Sequence, residues 1–241
     1  MRIARNRLAR FAAAVLMMVT GLPALAVSAM VAGNANPNLA GRDPGYGCCS
    51  GDVAPDQSPT LVSGLSLDAG LLLNFSVTGE VSYGGGAGSG NNPDGSYYGG
   101  VPYNYGDGIT APANLNRVDA LLGVFLGAGS PTGSTGPAAI DFAGGVNFTA
   151  LSPQIGQVFF IGNGSTGDTS AGDFGGTLQQ FVVPAGATRL YLGTADGYGW
   201  ANNNGSFTVE INAPVPEPAG WVLMALGLLS LLVRRRAGCR G

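Results

Sequence analysis

Residues 60–213 predict an all-β fold, an antiparallel β-sandwich, and three observations carry that expectation. Short apolar runs with strand character recur between glycine-rich loops, and none repeats with a helical period. Residues 206–212 alternate cleanly, Phe207, Val209 and Ile211 against Ser206, Thr208 and Glu210, as a strand does with one face buried and one wet. Many short strands spaced by turns favour an antiparallel sandwich over a parallel α/β sheet. About 150 residues is an ordinary size for one such domain.

Arg2, Arg5, Arg7 and Arg10 precede an apolar stretch over residues 11–19, then Gly21, Pro23 and small residues. That order is the n-region, h-region and cleavage zone of a secretory signal peptide. Ala24-Leu25-Ala26 and Val27-Ser28-Ala29 both meet the small-x-small rule, so residues 1–29 are expected to be removed by a cut after Ala26 or Ala29. Residues 30–59 hold much Gly, Pro and Asp and are expected as a flexible N-terminal arm. The arm carries adjacent Cys48 and Cys49, open to a vicinal disulfide or to bonds between molecules in an oxidising envelope. Strands are expected at residues 61–67 and 71–77, paired across the turn Asp68-Ala69-Gly70, then at 120–126, 157–161, 178–183, 189–192 and 206–212.

Beyond the linker at residues 213–218, the fifteen residues 219–233 contain no charge, and Arg234, Arg235 and Arg236 follow directly. As a helix that stretch spans roughly 22 Å, short of the roughly 30 Å hydrocarbon core, so it reads as a short transmembrane helix rather than a permanent anchor. The arginines set its flank on the cytoplasmic side. Pro216 and Pro218 stop the helix upstream and hold Glu217 in an extended segment that an enzyme could read.

All eleven basic residues are arginine, and only Arg42, Arg117 and Arg189 lie between the two ends, against thirteen carboxylates, a net charge of −10 for that part. Such an acidic surface argues against nucleic acid and anionic membranes as partners and fits cations or plain solubility. No histidine occurs anywhere. Ser-His-Asp and Cys-His catalysis and histidine-held zinc are therefore excluded. The aspartates leave a carboxylate-pair hydrolase formally open, but none sits in a catalytic motif, and an enzyme is not expected.

Two loops stand out. Residues 83–110 combine Gly84-Gly85-Gly86, Asn91-Asn92-Pro93-Asp94-Gly95 and the tyrosines Tyr97, Tyr98, Tyr103 and Tyr105. A loop this long is either functional or flexible decoration, and its tyrosines suit contact surfaces that stack on sugar rings. Residues 194–207 concentrate one carboxylate, Asp196, and three carboxamides, Asn202, Asn203 and Asn204, among glycines. These are hard oxygen ligands of the kind Ca²⁺ takes, although the same residues also dominate ordinary turns.

The C-terminal pattern resembles the PEP-CTERM sorting signal, a Pro-Glu-Pro motif, a short transmembrane stretch and terminal arginines, here Val215, Pro216, Glu217, Pro218, Arg234, Arg235 and Arg236. The resemblance implies that residues 214–241 direct an exported protein to an exosortase-type membrane protease. The tail would hold the inner membrane transiently, and the product would reach the outer surface or extracellular matrix of a Gram-negative-type envelope. The domain itself resembles the PA-I type galactophilic lectins, calcium-dependent sandwiches of the galactose-binding-like kind. Asp196, Asn202 and Asn203 before Gly205-Ser206-Phe207 match that family's metal loop, and Thr78-Gly79-Glu80-Val81-Ser82-Tyr83-Gly84 matches the segment whose tyrosine carbonyl is a further ligand.

That likeness implies a Ca²⁺ site of Asp196, Asn202, Asn203 and the Tyr83 carbonyl. A galactose-containing glycan or exopolysaccharide would be bound by Asp196, Asn202, Tyr198, Trp200, Asn92 and Asp94. Two departures stand against it: the spacing from Asp196 to Asn202 is one residue shorter than in the family, and the family's sugar-contacting histidine is missing. The expected function is an exported, calcium-dependent carbohydrate-binding protein, with a structural matrix protein lacking any small ligand as the alternative.

Overall fold

The computed structural model describes residues 25–84, 90–167 and 176–213. The expected signal segment up to residue 24, the transmembrane stretch 219–233 and the sorting residues 215–218 and 234–236 lie outside the described residues. Among the described residues no helix is long and apolar enough to cross a membrane.

Among the described residues thirteen strands follow one another: β1 (Leu25–Ala32), β2 (Gly47–Cys48), β3 (Asp52–Val53), β4 (Thr60–Leu61), β5 (Leu72–Ser82), β6 (Ser96–Tyr97), β7 (Arg117–Val118), β8 (Leu121–Leu126), β9 (Ala150–Leu151), β10 (Val158–Phe160), β11 (Gln180–Val182), β12 (Arg189–Thr194) and β13 (Asn204–Ala213). One sheet runs β1-β13-β5-β11-β9 and the other β10-β8-β12-β4, while β2–β3 and β6–β7 form small ribbons. Among these strands pairing is antiparallel except between β11 and β9.

The inner core lies between the sheets, with Leu73, Phe75, Phe181, Phe207, Val209 and Ile211 from one and Leu121, Phe125, Phe159, Leu190 and Leu192 from the other. The alternation read in residues 206–212 belongs to β13, the centre of the first sheet, where Phe207, Val209 and Ile211 face inward. β8 behaves differently, since all six of its residues are buried. Leu122, Val124 and Leu126 face away from the inner core into a second cluster with Ile109, Leu115, Phe142 and Phe160. Loops thus cover the outer face of the second sheet, and a strand covered on both faces reads as a continuous apolar run.

Several expectations need correction. Residues 61–67 and 71–77 do not form a hairpin: β4 pairs with β12 and β5 with β13, in different sheets. Gly64, at φ +80°, breaks the first run, and Leu65, Leu67 and Leu71 pack on the core as the chain crosses over. Residues 30–59 do not form a loose arm. β1 pairs with β13 along eight positions, from Leu25↔Ala213 to Ala32↔Ser206. Behind it, Asn36, Leu39 and Ala40 are wholly buried.

Asn36 caps a one-turn 3₁₀ helix, Pro37–Leu39, by accepting the Asn38 N–H. Further on, the buried Arg42 guanidinium pairs with Asp107 at 3.1 Å and lies over the Tyr46 ring. Gly, Pro and Asp in this segment are therefore turn residues of a packed layer, which composition alone cannot tell from a mobile one. The described part of loop 83–110 is likewise built in, with β6 paired to β7 and Asn91 bridged to Val81.

Candidate functional site

At one pole of the sandwich the ends of four strands meet. β5 and β13 are in register through Asn204↔Ser82, so Tyr83 leaves β5 at the end where Asn203 enters β13. β8 and β12 are in register through Thr194↔Leu121. Past that pair the Ala195 N–H donates to the Ala120 carbonyl (2.9 Å), while the Asp119 N–H donates to the Ala195 carbonyl (2.7 Å). Two residues then oppose one, a β-bulge, with Asp119 at φ +64°. Bulges of this kind re-aim side chains at strand ends. The Asp119 Oδ2 accepts the Tyr83 N–H (3.2 Å) and the Asn91 amide (2.6 Å), tying the two sheets together.

A cavity of about 630 Å³ opens here, lined by Asp52, Tyr83, Tyr98, Asp196, Tyr198 and Asn202 among others. Its rim is aromatic: Tyr83, Tyr98 and Tyr198 are 44%, 51% and 52% exposed. Tyr83 meets Tyr98 edge-on at 5.8 Å between centroids, and Tyr198 meets Tyr103 at 5.0 Å. Its floor is anionic. The buried Asp196 accepts the N–H groups of Gly197 and Tyr198 and the Asn203 amide. Burial raises its pKa, and the Asp52 charge adds to the shift. Asp119 is pushed up to about 6, first by burial and then by the Asp196 charge, against the lowering effect of its two hydrogen bonds.

The N-terminal segment braces this pole. Asp52 is fully buried, and its carboxylate accepts the Trp200 N–H (2.9 Å), the Ala201 N–H (3.1 Å) and the Asn36 amide (3.0 Å). Asn36 also donates to the sulfurs of Cys48 and Cys49, which are joined as a vicinal disulfide. The Ser50 N–H then donates to the Tyr198 carbonyl at 3.2 Å. The β2–β3 ribbon thus clamps loop 196–203 from outside.

Of the residues singled out in the sequence, Tyr83, Asp196, Asn202 and Asn203 converge on this pole, with Tyr198 at the rim. Trp200 does not serve as a stacking surface: it is 0% exposed, its indole Nε1–H donates to the Thr194 carbonyl at 2.8 Å, and it belongs to the packing beneath the loop. Asn92 and Asp94 are not at the cavity either. Asp94 is buried and accepts the Asn163 N–H (2.8 Å), and Asn92 accepts the Asp94 N–H (3.0 Å), so together they shape a turn. Asp52 and Asp119 were missed, because neither lies in a recognisable motif and only the fold brings them to Asp196.

Among the described residues no three His, Cys, Asp or Glu side chains stand close enough to hold one metal ion. A cation here would draw on a carboxylate with amide and carbonyl oxygens, the ligand mixture suited to Ca²⁺. The donors present fit that chemistry, for the Asn203 Oδ1 is buried with no hydrogen-bond partner among the described residues. Buried acceptors are ordinarily satisfied.

Residues 214–236 match the family model of the PEP-CTERM protein-sorting motif. That motif marks an exported protein that passes through a membrane-associated sorting step and is processed by an exosortase-type protease. No curated protein and no solved structure matches the chain.

Proposed function

We propose that this exported protein works at the cell surface or in the extracellular matrix as a non-catalytic, calcium-dependent carbohydrate-binding protein. The observation that carries the reading is the convergence of Asp196 and Asn203 from one loop and the Tyr83 backbone from the end of β5, two separate stretches of chain, beside a tyrosine-rimmed cavity. Asp196, Asn202, Asn203 and the Tyr83 carbonyl would hold the ion, which supplies open coordination positions for sugar hydroxyls. Tyr83, Tyr98 and Tyr198 supply apolar faces against which a sugar ring packs. A galactose-containing glycan or an exopolysaccharide fits that combination. The Asn92, Asp94 and Trp200 contacts expected from sequence are withdrawn from the reading.

The test is thermal unfolding of the full chain in mild detergent, with calcium and with chelator. Calcium at about a hundredfold above its dissociation constant stabilises by about 2.7 kcal/mol, which raises the midpoint by roughly 5–10 °C for a domain of this size. Asp196→Ala should abolish the shift, and retention on immobilised glycans should be lost on chelation. An unchanged midpoint at millimolar calcium would sink the lectin reading and leave a structural matrix protein without a small ligand.

A further inference from the structure

Two buried oxygens at the cavity pole have no hydrogen-bond partner among the described residues, the Asn203 Oδ1 and the Asp119 Oδ1. Asn203 is 7% exposed and Asp119 0%. An unsatisfied acceptor at either place is costly, and two at one pole point to a shared electropositive group. The residues between them form a closed circuit. The Tyr83 N–H donates to the Asp119 Oδ2 (3.2 Å), and Tyr83 follows Ser82, whose partner Asn204 follows Asn203. Asn203 bonds the Asp196 carboxylate, and Asp196 follows Ala195, the residue that faces Asp119 across the bulge.

Ionised Asp119 and Asp196 repel each other, and neither has an arginine among the groups that act on it. Two such carboxylates held close without a positive charge are unfavourable, and a divalent cation removes the penalty. An ordinary strand residue at position 119 would sit on the pleat. The bulge and the φ of +64° instead turn this side chain toward Tyr83 and spend backbone strain to do so.

We propose that Asp119 is the second carboxylate of the cation site, acting from the opposite sheet and locking the Tyr83 segment to the ion. The inference rests on the calcium reading above. It adds a ligand that no motif in the sequence indicated, and it makes the site span both sheets rather than one loop. One of its oxygens holds the Tyr83 and Asn91 donors while the other is left for the cation.

Calorimetric titration with calcium alone separates the possibilities, using the full chain in mild detergent, wild type beside Asp119→Asn and Asp68→Asn. Asp68 is an exposed carboxylate bonded by Ser66 and serves as the control for net charge. Asp119→Asn should weaken calcium binding by at least roughly ten- to a hundredfold, the loss already typical when a group that only supports a ligand is removed. Asp68→Asn should leave it unchanged. In chelator, Asp119→Asn should unfold no lower than wild type, because the retained oxygen still accepts from Tyr83 and Asn91 and a buried charge has gone. If wild type and Asp119→Asn bind calcium equally, the role of Asp119 is overturned and the calcium reading survives. A chelator-state collapse of Asp119→Asn that accounts for the whole binding loss would also overturn it, as a purely structural role. If wild type binds no calcium, both fall together.

Discussion

Replacing Asp52 by alanine should loosen the candidate site from a distance, through the ribbon that clamps it. The carboxylate accepts three hydrogen bonds, from the Trp200 and Ala201 N–H groups and the Asn36 amide. Trp200 and Asn36 are fully buried, whereas Ala201 is exposed and water can take over its N–H. Each buried donor left without a partner costs about 1–3 kcal/mol, and hydrogen bonds to a charged acceptor lie toward the upper end. Two such donors give about 2–6 kcal/mol. Relief of the repulsion between Asp52 and Asp196 offsets part of that. A net loss of about 3 kcal/mol follows, or roughly 6–12 °C in the unfolding midpoint for a domain of this length.

The assay is urea unfolding of the full chain in mild detergent, followed by circular dichroism, with calcium affinity measured on the same samples. Affinity should fall as well, since Trp200 anchors the loop that carries Asn202 and Asn203. A loss below about 1 kcal/mol would refute the reasoning, because two buried donors cannot be abandoned so cheaply. Asp52 would then not be what braces the loop.

Three further outcomes are expected. Asp119 titrates near 6 in the fold against 3.8 for the ordinary carboxylate, so its contribution to calcium-free stability is full below about pH 3.8 and lost as pH rises through about 6. Asp107 and Asp141, whose pKa values are lowered by hydrogen bonds from Tyr46 and Asn114, lose their contributions only at lower pH. Between pH 4 and 7 the urea midpoint in chelator should therefore fall for wild type more than for Asp119→Asn, and identical profiles would refute the assignment.

Gly205→Ala places a Cβ on the Glu80 carbonyl oxygen at φ +84°, and left-handed strain plus overpacking should cost about 2–4 kcal/mol in the same urea assay. Changing Pro216, Glu217 and Pro218 to alanine should leave the tail on the exported protein in cells that carry an exosortase-type protease. Mass spectrometry of the envelope fraction reads this directly, and normal removal of the tail would show that the Pro-Glu-Pro segment is not what the protease reads.

What was legible in the sequence is what local physics controls. Residues 206–212 alternate because β13 has one buried face, and the run 120–126 is apolar throughout because β8 is covered on both. The sorting pattern at residues 214–236 was legible because it is linear, a Pro-Glu-Pro motif followed by an apolar run and arginines. Asp196, Asn202, Asn203 and Tyr83 were candidates through the resemblance of their segments to PA-I type lectins, since the composition of loop 194–207 by itself suits an ordinary turn as well as a cation site.

Only the tertiary structure decided the rest. β1 carries no alternation sharp enough to separate it from a cleavage zone of small residues, and its place comes from pairing with β13 along eight positions. Trp200 looked like a sugar platform until packing put it under the loop, with its N–H on the Thr194 carbonyl. Asp52 lies 144 residues from Asp196 and Asp119 lies 77 away, and no local signal reports a contact across such a separation. A single sequence specifies which residues prefer strands, turns and water. Which carboxylates share one pole is set by sheet register, where a one-residue slip would turn each side chain to the other face.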